Sequence, residues 1–118
     1  MAKSKIERIE TGPRMSQAVI HGDTVYLAGV VADKTVPSVE NQTKQVLAQI
    51  DKLLKKAGTD KSRILKANIW LSDIRTFSEM NAAWEKWASK GNTPARATVE
   101  AKLAAPEYLV EIMVTAAR

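Results

Sequence analysis

Apolar residues recur with helical spacing in only two stretches of this chain; elsewhere they alternate or run as short β-branched segments. In the first stretch Val39, Val46, Leu47, Ile50, Leu53, Leu54 and Ala57 follow the i, i+3, i+4 rule, with Thr43 in the remaining slot. Ser38 reads as its N-cap and Gly58 as its C′ residue. In the second, Phe77, Met80, Ala83, Trp84, Trp87 and Ala88 make one stripe ending at Gly91. Thr76-Phe77-Ser78-Glu79 has the spacing of a capping box at its start, and both tryptophans of the stripe are assigned to packing. Two amphipathic helices can cover only one face of a sheet, which fixes the layer count before any strand is placed.

The strands follow from period two. Residues 5–9 alternate weakly and end at the Thr11-Gly12-Pro13 break. Residues 16–21 and 24–30 are apolar and β-branched, joined by His21-Gly22-Asp23, which reads as a hairpin turn. Gly29 falls inside the second of these, where a missing side chain marks a bulge or a close approach. Residues 63–73 put Ala67, Ile69 and Leu71 on one face and Asn68, Trp70 and Ser72 on the other. Strands at 95–101 and 108–116 complete the order βββαβαββ. The expectation is an α+β two-layer sandwich, a mixed sheet with two helices on one face, forming a single domain over residues 1–118.

Composition narrows the chemistry. With 118 residues, 45% hydrophobic and 26% charged, the chain is of ordinary globular make-up. It has no cysteine, and His21 is its only histidine, so thiolate chemistry is excluded and a transition-metal site is not expected. His21 reads as a strand-end surface residue. The net charge of +5 permits nucleic acid. However, the main basic cluster (Lys52, Lys55, Lys56, Lys61, Arg63, Lys66) flanks a helix end, where cations complement the macrodipole. No basic stretch is interleaved with aromatics, so nucleic acid is not the expected partner. No apolar run approaches the roughly 20 residues that cross a bilayer, and the start at Met1 lacks a signal-peptide core. A soluble, cytoplasmic protein without membrane contact is expected.

Alternation also sorts strand residues by face. Ala97, Val99 and Ala101 are expected against the helices, with Arg96, Thr98 and Glu100 opposite. Val110, Ile112 and Val114 likewise oppose Leu109, Glu111, Met113 and Thr115. Arg96, Thr98, Glu111, Met113 and Trp70 would then share one uncovered face that mixes apolar bulk with charge. Such a face calls for a partner, and self-association would cover it. An arginine and a glutamate there would be partly desolvated, where charge-assisted contacts to an anion are strong.

Gly12-Pro13, Ser16-Gln17-Ala18-Val19, Gly29, Asp73, Asn81, the run Pro94-Ala95-Arg96-Ala97-Thr98-Val99-Glu100, and Val110-Glu111-Ile112 together resemble the successive signatures of the RidA/YjgF family. The resemblance covers nearly the whole chain, and the run from Pro94 to Glu100 followed by Val110-Glu111-Ile112 is its specific part. It implies a chorismate-mutase-like fold and a homotrimer with three clefts between subunits. The activity it implies is hydrolysis of reactive 2-imino acids to 2-oxo acids and ammonia, with no metal and no cofactor.

Carried over residue by residue, Arg96 would bind the substrate carboxylate and Glu111 would position or activate water. Gly29 would leave room for ligand, and Asn81 would hold a backbone segment near the cleft. Two positions depart from the family pattern. Met15 falls where a tyrosine is expected, with one residue inserted, and Thr98 stands where cysteine is common. With the short loop 32–38, these mark a divergent subgroup. Binding of a small carboxylate without turnover, and RNA binding or cleavage, stay open as alternatives. Chorismate mutase activity would demand several arginines where only Arg96 is well placed.

Overall fold

The computed structural model describes residues 5–118. Strands β1 (Ile6–Thr11), β2 (Ser16–His21) and β3 (Thr24–Leu27) precede helix α1 (Val39–Lys56). Then come β4 (Ile64–Leu71), α2 (Phe77–Trp87), β5 (Ala95–Glu100) and β6 (Val110–Ala117). They form one six-stranded sheet in the order β1-β2-β3-β6-β4-β5, antiparallel throughout except for the parallel pair β4–β5. A parallel pair needs a crossover, and α2 supplies it. The expected α+β architecture and element order are therefore those of the molecule.

Local chemistry explains the boundaries. Gly22-Asp23 forms a two-residue hairpin loop, with Gly22 at a φ of 61° where a left-handed residue suits the twist of the flanking strands. The Ser38 side chain accepts from Asn41 N–H and starts α1, and Gly58 at φ 84° follows its end. The capping box expected at α2 does not form: Thr76 makes no side-chain cap, its hydroxyl donating instead to the Asp73 carbonyl at 2.6 Å. A 3-10 turn at Ile74–Thr76 leads into the helix, and the Asp73 carboxylate caps that turn by accepting from Arg75 N–H. The strand expected over 24–30 stops at Leu27, although Val30 still bridges to Ile112.

The core lies between the sheet and the helices. Ile20, Val25, Ile69, Leu71, Val110, Ile112 and Val114 meet Val46, Leu47, Ile50 and Leu54 of α1 and Met80 and Trp84 of α2, all buried. Gln42 is buried with them and donates to the carbonyls of Val36 and Glu107 while accepting from Leu109 N–H. One helical side chain thereby ties together two loops that have no ladder of their own. Among the described residues, the opposite face of the sheet carries no second layer. Tyr26 and Val99 are 49% and 51% exposed there.

Candidate functional site

The register corrects the face expected for β5. Arg96 pairs with Ala67 and Thr98 with Ile69, both buried residues of β4, so Arg96 and Thr98 point to the helix layer. Ala97 and Val99 pair with Asn68 and Trp70 and lie on the open face. Their apolar character misled the reading because β5 is an edge strand, where small and β-branched residues sit on either side. Glu111 pairs with Trp70 and Met113 with Asn68, so these do share the open face as expected. Leu109 does not, because it packs against the core ahead of β6.

On the helix side, α2 brings Asn81 and Trp84 over the start of β5. The Arg96 guanidinium donates to Asn81 Oδ1 at 2.8 Å. It also lies over the rings of Trp84 and Phe77, with its central carbon 5.2 and 5.7 Å from the two centroids, two cation–π contacts that position the charge. Burial lowers its pKa from the ordinary value, opposed by the nearby charge of Glu85. Among the described residues no carboxylate comes within ion-pair distance of it. One partly desolvated guanidinium is thus held by an amide and two aromatic rings, with donors left for an anion.

That guanidinium opens on a recess of about 390 Å³ lined by Asn81, Trp84, Glu85, Ala88, Lys90, Thr93, Pro94 and Arg96. Thr98, two residues along the same face, has a buried hydroxyl oxygen with no hydrogen-bond partner. A buried hydroxyl is costly to leave unpaired, which sets Thr98 apart from the other buried polar side chains of the described residues.

The remaining expected site residues lie elsewhere in the chain. Glu111 and Gly29 meet on the other side of the sheet, where a Cβ on Gly29 would collide with the Glu111 carboxylate and come within 3.1 Å of its Cδ. The space at Gly29 is therefore occupied by Glu111 rather than left free for ligand. Met15 sits in the turn between β1 and β2, 52% exposed, with its carbonyl accepting from Gly12 N–H. From β2 to β5 is four strand spacings, roughly 19 Å, so Met15 and Arg96 are at opposite edges of the sheet. Within one chain, then, Arg96, Asn81 and Thr98 form one group, Gly29 and Glu111 a second, and Met15 stands apart.

Sequence reasoning assigned Trp84 to packing and passed over Phe77, Glu85 and Lys90 as site residues. Trp84 does both jobs, being buried in the core and stacked on Arg96. A signal was present: Asn81, Trp84, Glu85 and Ala88 are spaced to share one helix face, and that face carries the only amide and carboxylate of the helix's middle turns.

Residues 5–118 match the family described as Endoribonuclease L-PSP. The chain belongs to the RutC/YjgF family. It is 46% identical over 112 residues to the RutC family protein YoaB of Escherichia coli K12, covering 95% of this chain and 97% of that one. Its fold matches the crystal structure of a YjgF family member from Neisseria meningitidis with a TM-score of 0.95 and 44% identity, over 97% of this chain and 95% of that chain. A more distant relative is Reactive Intermediate Deaminase A, chloroplastic, of Arabidopsis thaliana. It is 36% identical over 91 residues, 72% of this chain and 48% of that protein. Among the described residues, no helix of the chain is long and apolar enough to cross a membrane.

Proposed function

We propose that the protein hydrolyses reactive 2-imino acids in clefts between the subunits of a homotrimer. The observation that carries this reading is the Arg96 guanidinium, partly desolvated, positioned by Asn81, Trp84 and Phe77, and without a carboxylate partner among the described residues. A planar fork suits a planar carboxylate bidentately, which a lysine cannot match. The plant relative's name, Reactive Intermediate Deaminase A, supports the same class of chemistry.

In this reading the substrate carboxylate docks on Arg96, which orients the C=N carbon. Water adds to that carbon, its oxygen forming the new C–O bond while the C=N π pair moves to nitrogen. Glu111 accepts a proton from the attacking water and returns it to nitrogen. The carbinolamine then collapses: its hydroxyl proton passes to nitrogen through Glu111, the freed oxygen pair closes C=O as the C–N bond breaks, and ammonia leaves a 2-oxo acid. No electron is exchanged with any external group. General-base positioning of this kind is worth about 10²–10⁴-fold, enough for a reaction that is already rapid in water.

Glu111 and Arg96 lie on opposite faces of one sheet, two strand spacings apart. The mechanism therefore requires Arg96 of one subunit to meet Glu111 of its neighbour, and the uncovered sheet face with Tyr26, Trp70, Met113 and Val99 is the surface through which they would associate. Met15 at the far edge would enter the cleft by the same route, in place of the family tyrosine.

The test generates 2-iminopropanoate or 2-iminobutanoate in situ with an amino-acid oxidase and follows release of the 2-oxo acid. Acceleration by the native protein, lost in Arg96→Ala, is the expected result. Binding of the 2-oxo acid without any acceleration would instead identify a small-carboxylate-binding protein of the same fold.

A further inference from the structure

Two charged groups of the Arg96 recess have no role in the reaction written above. Glu85 lies on the same face of α2 as Asn81, Trp84 and Ala88, and Lys90 stands in the turn that follows the helix. That turn is built rather than loose. Asn92 N–H donates to the Ser89 carbonyl at 3.0 Å, the Asn92 amide donates to Ser89 Oγ at 3.2 Å, and Gly91 takes a φ of 78°. This is the geometry of a tight turn with glycine in its left-handed position, and it holds Lys90 at the rim. Lys90 and Glu85 make no ion pair with each other or with any other described residue. Two cations and one anion therefore face a single recess, leaving one net positive charge.

We infer that this recess selects 2-imino dicarboxylates, the imines of acidic amino acids, with the proximal carboxylate on Arg96, the iminium beside Glu85 and the distal carboxylate on Lys90. A 2-imino dicarboxylate with a protonated nitrogen carries two negative charges and one positive, the complement of the recess group by group. The imine of an uncharged amino acid is a zwitterion of no net charge and leaves Lys90 unmatched. A recess of about 390 Å³ has room for a chain of four or five carbons with water, and Trp84 and Pro94 supply apolar wall for the intervening methylenes. The inference rests on the imine-hydrolase reading for its chemistry, but its binding half stands on the recess alone.

Two measurements on the full-length protein separate the two ideas. Calorimetric titration compares 2-oxoglutarate with 2-oxobutanoate, which differ by the distal carboxylate arm. Tighter binding of the dicarboxylate, by about tenfold, is expected in the native protein, reduced to parity in Lys90→Ala and kept in Lys90→Arg. In turnover, the ratio of kcat/KM for the glutamate-derived imine over the alanine-derived imine should fall about tenfold in Lys90→Ala, chiefly through KM, and further in Lys90→Glu. Selective, Lys90-dependent binding without turnover of either imine would remove the hydrolase reading and keep the subsite. Turnover of the alanine-derived imine, with equal binding of the two acids and a ratio indifferent to Lys90, would overturn the subsite and keep the hydrolase.

Discussion

The Glu111 carboxylate lies against the bare backbone of Gly29, and no side chain can be added to Gly29 without moving it. Gly29 has no left-handed φ to explain its choice, since the positive-φ glycines are Gly22, Gly58 and Gly91. Close approach, not turn geometry, is therefore the reason for glycine at this position. The residue fixes where the carboxylate of the central strand β6 can sit.

Gly29→Ala should leave the fold intact and slow the reaction. Its backbone conformation suits alanine, so the thermal midpoint should move by only a few degrees, about 1 kcal/mol or less. Displacement of Glu111 should cost on the order of 10²-fold in kcat, the range of a mispositioned general base. Steady-state kinetics beside a thermal melt check this. A variant with unchanged kcat would show that Glu111 takes no part in turnover.

The uncovered sheet face leads to an oligomer prediction. Tyr26, Trp70, Met113 and Val99 line the open face across β3, β4, β5 and β6, and apolar residues grouped in this way mark an interaction surface. Native mass measurement at micromolar concentration should give about three times the chain mass of 13.0 kDa. Trp70→Glu, which adds charge beside Glu111 on that face, should shift the protein toward monomer and abolish turnover with it.

The helices, the order of elements along the chain and the carboxylate on the open face were legible in the sequence because each rests on a long, strong pattern. Eight positions of α1 repeat at helical spacing between a serine cap and a glycine stop, and β6 alternates over its whole length. The face of β5 was not legible. Its six residues Ala95–Glu100 form an edge strand, and Ala97 and Val99 are as apolar as core residues while facing out. Arginine on the helix side breaks the simple rule that charge faces water. The rule fails here because Asn81, Phe77 and Trp84 replace the water around the guanidinium. The capping box failed for another reason: Asp73, three residues earlier, competes for the same turn and captures it as 3-10.

That Asp73 cap makes acid stability testable. Its carboxyl is held below the ordinary value of 3.8 by hydrogen bonds from the Arg75 side chain and then the Arg75 backbone N–H. A depressed folded pKa contributes stability above the unfolded value and loses it as pH falls through the folded one. The native protein should therefore lose this contribution below about pH 4. Asp73→Asn should flatten that part of a melting-temperature profile while leaving the basic side unchanged.

Gln42 should matter more to stability than an exposed polar residue, because it is buried and its three hydrogen bonds reach two loops. Replacement by leucine keeps the volume but strands Leu109 N–H and the carbonyls of Val36 and Glu107. At about 1–3 kcal/mol per buried unpaired group, relaxed in part by water reaching the loops, the net loss should be about 3 kcal/mol. Urea unfolding measures it directly. A loss below about 0.5 kcal/mol would mean that the two loops hold their places without the glutamine.

Arg96 separates ligand binding from architecture. Arg96→Ala removes the fork and leaves Asn81, Phe77 and Trp84 facing a void that solvent can enter from the recess, so the fold should survive with a modest drop in melting temperature. Carboxylate binding and imine turnover should both disappear. Arg96→Lys keeps the charge but loses the bidentate plane and most of the stacking on the two rings, and should recover less than a tenth of kcat/KM. Asn81→Ala leaves the guanidinium charged and present but frees it to turn. KM should then rise while kcat falls less, because the interaction lost is one that orients the arginine rather than one that touches the reacting carbon. Glu111→Gln should give the reverse, with carboxylate binding retained and kcat lowered. If Arg96→Lys instead restored full activity, and Arg96→Ala broke the oligomer, the arginine would be an interfacial ion-pair partner and the carboxylate site would have to be sought elsewhere in the cleft.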